Sequence, residues 1–190
     1  SKTCQEELLH DAVSTKHVFR DVMNCVPGAS IGDKEGQDMV QQKIADASVA
    51  LSMWSVAHGK RCSATTTEWH TAGSPCVDFS TYGLGQREEG ATAKVFWAWS
   101  KLMLKLHPLV IFHENVQGFG LTQLEQAFGQ TYVMTRLLVS ASDEGWAIRR
   151  KRQITIMFLK SWLVPQLSYQ HIPPTVHQNL DVTWLQQLYK

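Results

Sequence analysis

The run LVIF, Leu109 to Phe112, has no polar member, follows a proline directly and is followed by a histidine, a glutamate and an asparagine. A short, branched and continuous apolar run of this kind reads as a strand buried on both faces, as parallel strands are. Pro108 stops the segment before it, Ala93 to His107, which reads as a helix that is apolar nearly all round apart from Lys94, Lys101 and Lys105. Upstream, TTTEWHTAG reads as a strand. Downstream, Leu121 to Phe128 reads as a short helix, and Tyr132 to Val139 and Ile154 to Leu159 read as two strands. Strand, helix, strand, helix, strand, strand is the order of an α/β sheet covered by helices. In such sheets ligands gather beyond the carboxyl ends of the strands.

Nearer the start, KHVFRDVMNCV is a short apolar run closed by turn chemistry at Pro27, Gly28, Gly32 and Gly36. Val40, Ile44, Ala47, Leu51 and Trp54 then recur at steps of four and three, which predicts an amphipathic helix with a core-facing stripe. The tail from Ser161 to Lys190, with Pro165, Pro173 and Pro174, gives weak signals and reads as a linker or as a region leading into a missing part.

The 190 residues suffice for one domain with a real core, and the 44% apolar fraction is that of an ordinary globular chain. Eighteen Lys and Arg stand against seventeen Asp and Glu, so any nucleic-acid contact must be local rather than a matter of bulk charge. Cys4, Cys25, Cys62 and Cys76 form no CxxC pair, which favours a reducing compartment. No apolar run is long enough to span a bilayer, and the start has neither region of a signal peptide. The first residue is not Met, and the sequence is expected to be a piece of something longer.

Three places could carry chemistry. Cys76 follows Pro75 in a turn-rich stretch; it is either a buried inert thiol or a nucleophile held out on a stiff turn. A catalytic thiolate needs exposure and a group that handles the displaced charge, and the basic cluster Arg149, Arg150, Lys151, Arg152 could lower its pKa. Glu114 is either a solvated strand-end carboxylate or a desolvated acid. His58, Cys62, His70 and Cys76 fall within one stretch, but only His58 and Cys62 are a turn apart, a poor spacing for zinc, and no metal site is expected.

GSPCVDFS, ENVQGF and RRKRQITIMF, in that order, resemble the C5 cytosine methyltransferase family, whose members share a proline-cysteine motif, a Glu-Asn-Val motif and a Gln-x-Arg-x-Arg motif. The interval from Cys76 to Glu114 is similar to that of compact members. The resemblance implies a Rossmann-like S-adenosylmethionine-dependent methyltransferase sheet with helices on both faces, incomplete here. It would occupy residues 1–160, with 34–61 as an insertion and 161–190 as a tail toward a missing region.

The activity implied is DNA (cytosine-5)-methyltransferase chemistry on a flipped base. By resemblance Cys76 adds as a thiolate to C6, Glu114 holds the N3 and amine edge, and Arg152 contacts O2. Arg150 braces that cluster, Asn115 anchors the turn behind Pro75, and Ser80 and the loop 83–90 lie against the nucleic-acid backbone. Asp21 would contact the cofactor adenine, with Val22 beside it and Val95 near the cofactor. No Phe-x-Gly-x-Gly segment occurs, the glycine before Asp21 is Arg20, and Ala147 and Ile148 stand where the family has Pro-Gln. The chain is therefore expected to be a partial domain, inactive alone, intracellular and nuclear in a eukaryote. Two alternatives stay open: a transfer-RNA cytosine-5 methyltransferase, and a non-catalytic relative acting as a binding module.

Overall fold

The computed structural model describes residues 17–29, 31, 37–75, 93–140, 142, 145, 147 and 150–166. The chain divides into two compact units, residues 1–67 with 75–107 and residues 68–74 with 108–190. Helices and strands occur in both, so the fold is mixed α/β.

In the first unit Asp21 opens a 3-10 turn, Val22–Cys25, with its Oδ1 accepting from the Met23 amide at 2.9 Å. Helix α1, Gln37–Asp46, buries Val40 and Ile44, two positions of the stripe read from the sequence. It stops well short of Trp54, and here the expected helix is corrected. Beyond Asp46 the backbone turns to other partners: the Ala50 amide donates to the Cys25 carbonyl at 2.8 Å, and the Ala64 amide to the Leu51 carbonyl at 2.8 Å. Trp54 ends up 47% exposed on a strand.

Helix α2, Ala93–Leu106, buries Phe96, Trp97, Trp99, Leu102 and Met103. His107 closes it in the left-handed region at φ 51°, and Pro108 follows. Against this helix the Cys25 thiol donates to the Ala98 carbonyl at 3.4 Å, and burial pushes that thiol up to about 11. Lys101 points its ammonium at the free carbonyls that end α1, those of Ile44, Ala45 and Ala47. A cation there meets the negative end of the α1 dipole as well as its orphan acceptors.

Strands β1, Ser52–Ser55, and β2, Lys60–Ser63, make an antiparallel hairpin where the helical spacing through Trp54 predicts helix. Gly59, at φ 59°, supplies the left-handed residue the turn requires.

The second unit holds a four-stranded sheet. Strands β3, Trp69–Gly73, β4, Val110–Val116, β5, Tyr132–Ser140, and β6, Lys151–Leu159, lie in the order β3-β4-β6-β5. Only the β3–β4 pair is parallel; β6 runs antiparallel between β4 and β5. Helix α3, Leu121–Phe128, has the bounds read from the sequence, and helix α4, Lys160–Gln166, continues directly from β6. Val110, Ile156, Phe158 and Leu163 form a buried cluster, with Phe112, Val133, Leu137 and Ile154 packed around it. Tyr132 is buried on the ring of Phe128 and donates its hydroxyl to the Pro108 carbonyl at 3.0 Å, which ties the start of β5 to the start of β4.

Strand boundaries differ from expectation: β3 begins only at Trp69, leaving Thr65 to Glu68 outside the strand, and β5 runs one residue further, to Ser140. β4 runs on through Glu114 and Asn115, and β6 begins three residues early, at Lys151. β4 and β6 supply each other's hydrogen-bond partners, Glu114 facing Ile154 and Asn115 facing Gln153, while Lys151 is added to β6 by Ser140 of β5. No helix among the described residues is long and apolar enough to cross a membrane.

Replacing Lys101 by Met removes the ammonium and keeps most of the stem. The variant should lose about 1–2 kcal/mol of stability in urea titrations. An unchanged midpoint would show that water serves those carbonyls as well.

Candidate active site

The β4–β6 register sets the site. Arg152 faces Val116, and Glu114 lies two residues before Val116, so the two side chains are diagonal neighbours on one face of an antiparallel pair. Arg152 Nε lies 2.7 Å from Glu114 Oε1, with 24% of the arginine and 48% of the glutamate side chain exposed. Arg152 also donates from Nη1 to the Lys151 carbonyl at 3.0 Å. Among the described residues these contacts engage Nε and Nη1. Carboxylate and guanidinium therefore meet at an accessible sheet end.

The opposite face of the same strands is buried and polar. His113, Asn115, Gln153 and Thr155 are each 2% exposed or less. Burial of such groups is tolerable when they are hydrogen-bonded, and Ser74 provides much of that satisfaction. Asn115 Oδ1 accepts from the Val116 amide at 2.8 Å, which turns its Nδ2 toward Ser74, donating to the hydroxyl at 2.8 Å and to the carbonyl at 3.3 Å. The Ser74 hydroxyl has one proton, and His113 Nε2 lies 2.8 Å away to accept it. Burial holds His113 down to about 4, so its ring is a neutral acceptor at pH 7.

Ser74 immediately precedes Pro75 and Cys76, so this network fixes the chain as it leaves β3. Gly73 pairs in parallel register with Glu114, and a Cβ at residue 73 would meet Glu114 Oε2 at 3.4 Å. That is an ordinary van der Waals distance to the tip of a flexible side chain, so the end of β3 lies close beside the carboxylate without crowding it.

Of the residues expected from the sequence, Glu114, Arg152 and Asn115 are gathered here. Arg150 is exposed, one residue before β6. Pro75 is half-buried at the end of its described segment, while Cys76, Ser80 and the loop 83–90 lie outside the described residues. Asp21, Val22 and Val95 belong to the first unit, with Asp21 exposed and the two valines half-buried. Ser74 and His113 were missed. Their signal was present: a serine directly before the Pro-Cys pair, and a histidine in an apolar strand directly before Glu-Asn.

The end of β3 thus lies in register beside the Glu-Asn-Val segment of β4, which pairs in turn with the basic start of β6. The model of the C-5 cytosine-specific DNA methylase family matches residues 56–187, well over half of the chain, and the chain belongs to that family. Asp21 and Val22 lie outside the matched residues. No curated protein matches the chain closely enough to count as a relative.

Among solved structures, a prophage-encoded protein of E. coli assigned as a DNA modification methyltransferase is similar at 22% identity and TM-score 0.41, covering 52% of this chain and 28% of its own. The Entamoeba histolytica methyltransferase EhMeth is similar at 17% identity and TM-score 0.39, covering 59% and 36%. The S. pombe Dnmt2 methyltransferase is similar at 14% identity and TM-score 0.39, covering 58% and 37%. The chain thus spans about a third of the length of these structures.

The buried histidine makes stability depend on pH. An unfolded imidazole titrates near 6.5, while His113 in the fold is held at about 4. Between those values the unfolded chain binds the additional proton, so the stabilisation is complete above about pH 6.5 and is lost as pH falls toward 4. The shift is worth on the order of 3 kcal/mol, and burial lowers His70 in the same direction. Urea midpoints should decline from pH 7 to about pH 4, and His113→Gln should flatten the decline. Equal slopes for the two proteins would contradict this.

Proposed function

We propose that the chain is part of the catalytic domain of a DNA (cytosine-5)-methyltransferase, with Cys76 as nucleophile and Glu114 and Arg152 as contacts to the base. The observation that carries this reading is the 2.7 Å approach of Arg152 to Glu114 on the strand that pairs with Gly73, three residues before Cys76. The Watson–Crick edge of cytosine sets an amine donor, N3 and O2 side by side. A carboxyl group and a guanidinium that touch each other span that edge, the first on the amine and N3 and the second on O2.

Cytosine C5 is too electron-poor to accept a methyl group unaided. The Cys76 thiolate forms a bond to C6, breaking the C5–C6 π bond and making C5 the nucleophilic carbon of an enamine. Glu114, with a proton at N3, keeps charge from building on the ring, and Arg152 holds O2. S-adenosylmethionine supplies an electrophilic methyl group when bound. Loss of the C5 proton and expulsion of the thiolate then restore the aromatic ring and the free cysteine. The target base has to leave its stack to meet these groups.

Asn115, through Ser74, positions the strand end that leads to Cys76, and Arg150 adds positive charge beside the pair. Pro75 stiffens the turn, and Ser80 would meet the nucleic-acid backbone. For the cofactor, Asp21 commits one carboxylate oxygen to the Met23 amide, and its exposed side chain has the other to offer an adenine amine. Half-buried Val22 and Val95 suit an apolar ring.

The full-length protein that carries this chain should be trapped covalently on duplex DNA containing 5-fluorocytosine, and Cys76→Ala should abolish the adduct. An adduct that persists in Cys76→Ala would overturn the assignment of the nucleophile. Trapping on transfer RNA and not on duplex DNA would move the substrate to RNA.

A further inference from the structure

The hairpin of the first unit carries a cluster that the methyltransferase chemistry does not use. His58 sits in the β1–β2 turn, beside Gly59, and Cys62 lies on β2 opposite Met53 with 9% of its surface exposed. The third member, His17, comes from much earlier in the chain. It is brought alongside by two backbone contacts of its neighbours: Phe19 bridges Ser55, and the Val56 amide donates to the Val18 carbonyl at 2.7 Å. His17 Nδ1 lies 3.2 Å from His58 Nδ1, which lies 3.3 Å from Cys62 Sγ, and all three atoms fall within 4.8 Å of one another. The two imidazole rings are perpendicular, at 87°.

Hydrogen bonding alone accounts poorly for this convergence. A neutral ring nitrogen has either one proton or one lone pair, so His58 Nδ1 satisfies one of its two close neighbours well. A cation set among the three atoms takes a lone pair from each. Two of the three spacings are close to those of such an ion, since nitrogen at about 2.0–2.1 Å and sulfur at about 2.3 Å from a tetrahedral centre stand roughly 3.3–3.6 Å apart. The third pair, His17 Nδ1 and Cys62 Sγ, lies within 4.8 Å and closes on the ion by a small side-chain adjustment.

We propose that His17, His58 and Cys62 form a zinc site. Two imidazoles and one thiolate are a borderline-soft donor set that selects zinc over magnesium or calcium. His58 is exposed, which gives the ion a path in. The fourth position is open to water among the described residues. The ion would clasp residues 17–19 to the hairpin, joining ligands 41 positions apart in the chain. The site shares no residue with the Glu114–Arg152 pair and does not depend on the proposed activity. Sequence spacing had singled out His58 and Cys62 together with His70 and Cys76, and it gave no means of finding His17.

Cobalt is the probe. The chain, stripped of metal under reducing conditions, should bind one Co2+ with the thiolate-to-cobalt charge-transfer band and the intense visible bands of a tetrahedral ion, and Zn2+ should displace it. Cys62→Ser should lose the charge-transfer band, and His58→Ala, at an exposed turn position that burdens no core, should lose tight binding while its circular dichroism stays that of the parent. Cys25→Ser should keep the band. Zinc should also raise the melting temperature of the parent and leave that of His58→Ala unmoved. A parent chain without the band, or a band that survives both Cys62→Ser and His58→Ala, would overturn the proposal.

Discussion

The antiparallel register between β4 and β6 is the constraint on which the candidate site depends. Because side chains alternate along a strand, that register decides which residues share a face. One face begins with the apolar cluster of Val110, Ile156 and Phe158 and ends with Glu114 and Arg152. The other carries Ile111, His113, Asn115, Gln153, Thr155 and Met157, all buried. A slip of β6 by one residue would carry Arg152 to the buried polar face, away from Glu114, and move Gln153 and Thr155 off it. The folding of the sheet and the meeting of the charged pair are therefore one event.

A row of buried polar groups would ordinarily weaken a sheet, since each must recover the hydrogen bonds it gave up with water. Here part of the recovery falls to Ser74, whose hydroxyl and carbonyl take the Asn115 amide and whose proton goes to a neutral His113, while Gln153 Nε2 meets Thr155 and Gln153 Oε1 has no partner among the described residues. The polar row is thus a device for holding the end of β3, the strand that leads into Pro75 and Cys76. Binding energy invested there is spent on position rather than on a core contact.

Much of the sheet was legible because its signals are local. A proline, a continuous branched run and a short amphipathic segment fix β4 and α3 without reference to distant residues, and the order of elements follows. The hairpin was not legible, since Ser52 to Ser55 continues the helical spacing of Val40 and Ile44. Backbone bonds to Cys25 and Ala64 and the pairing with β2, all outside the helical window, pull the chain out of the helix. The true ends of β4 and β6 escaped for a similar reason. Glu114, Asn115, Lys151 and Arg152 read as loop chemistry one at a time, and each becomes strand through the partner opposite it. The motifs were visible as letters in the right order. The serine and histidine that hold them in place belong to no motif and acquire meaning only through distances.

A thermodynamic cycle on base capture tests most directly whether Glu114 and Arg152 act together on one edge of one base. The rate of covalent capture of 5-fluorocytosine would be measured for the full-length protein, for Glu114→Gln, for Arg152→Met and for the double variant. If the two side chains grip a single pyrimidine edge, the double variant should be little slower than the slower single variant. Losses that multiply would mean that the two residues act independently, and the shared-edge reading would be wrong.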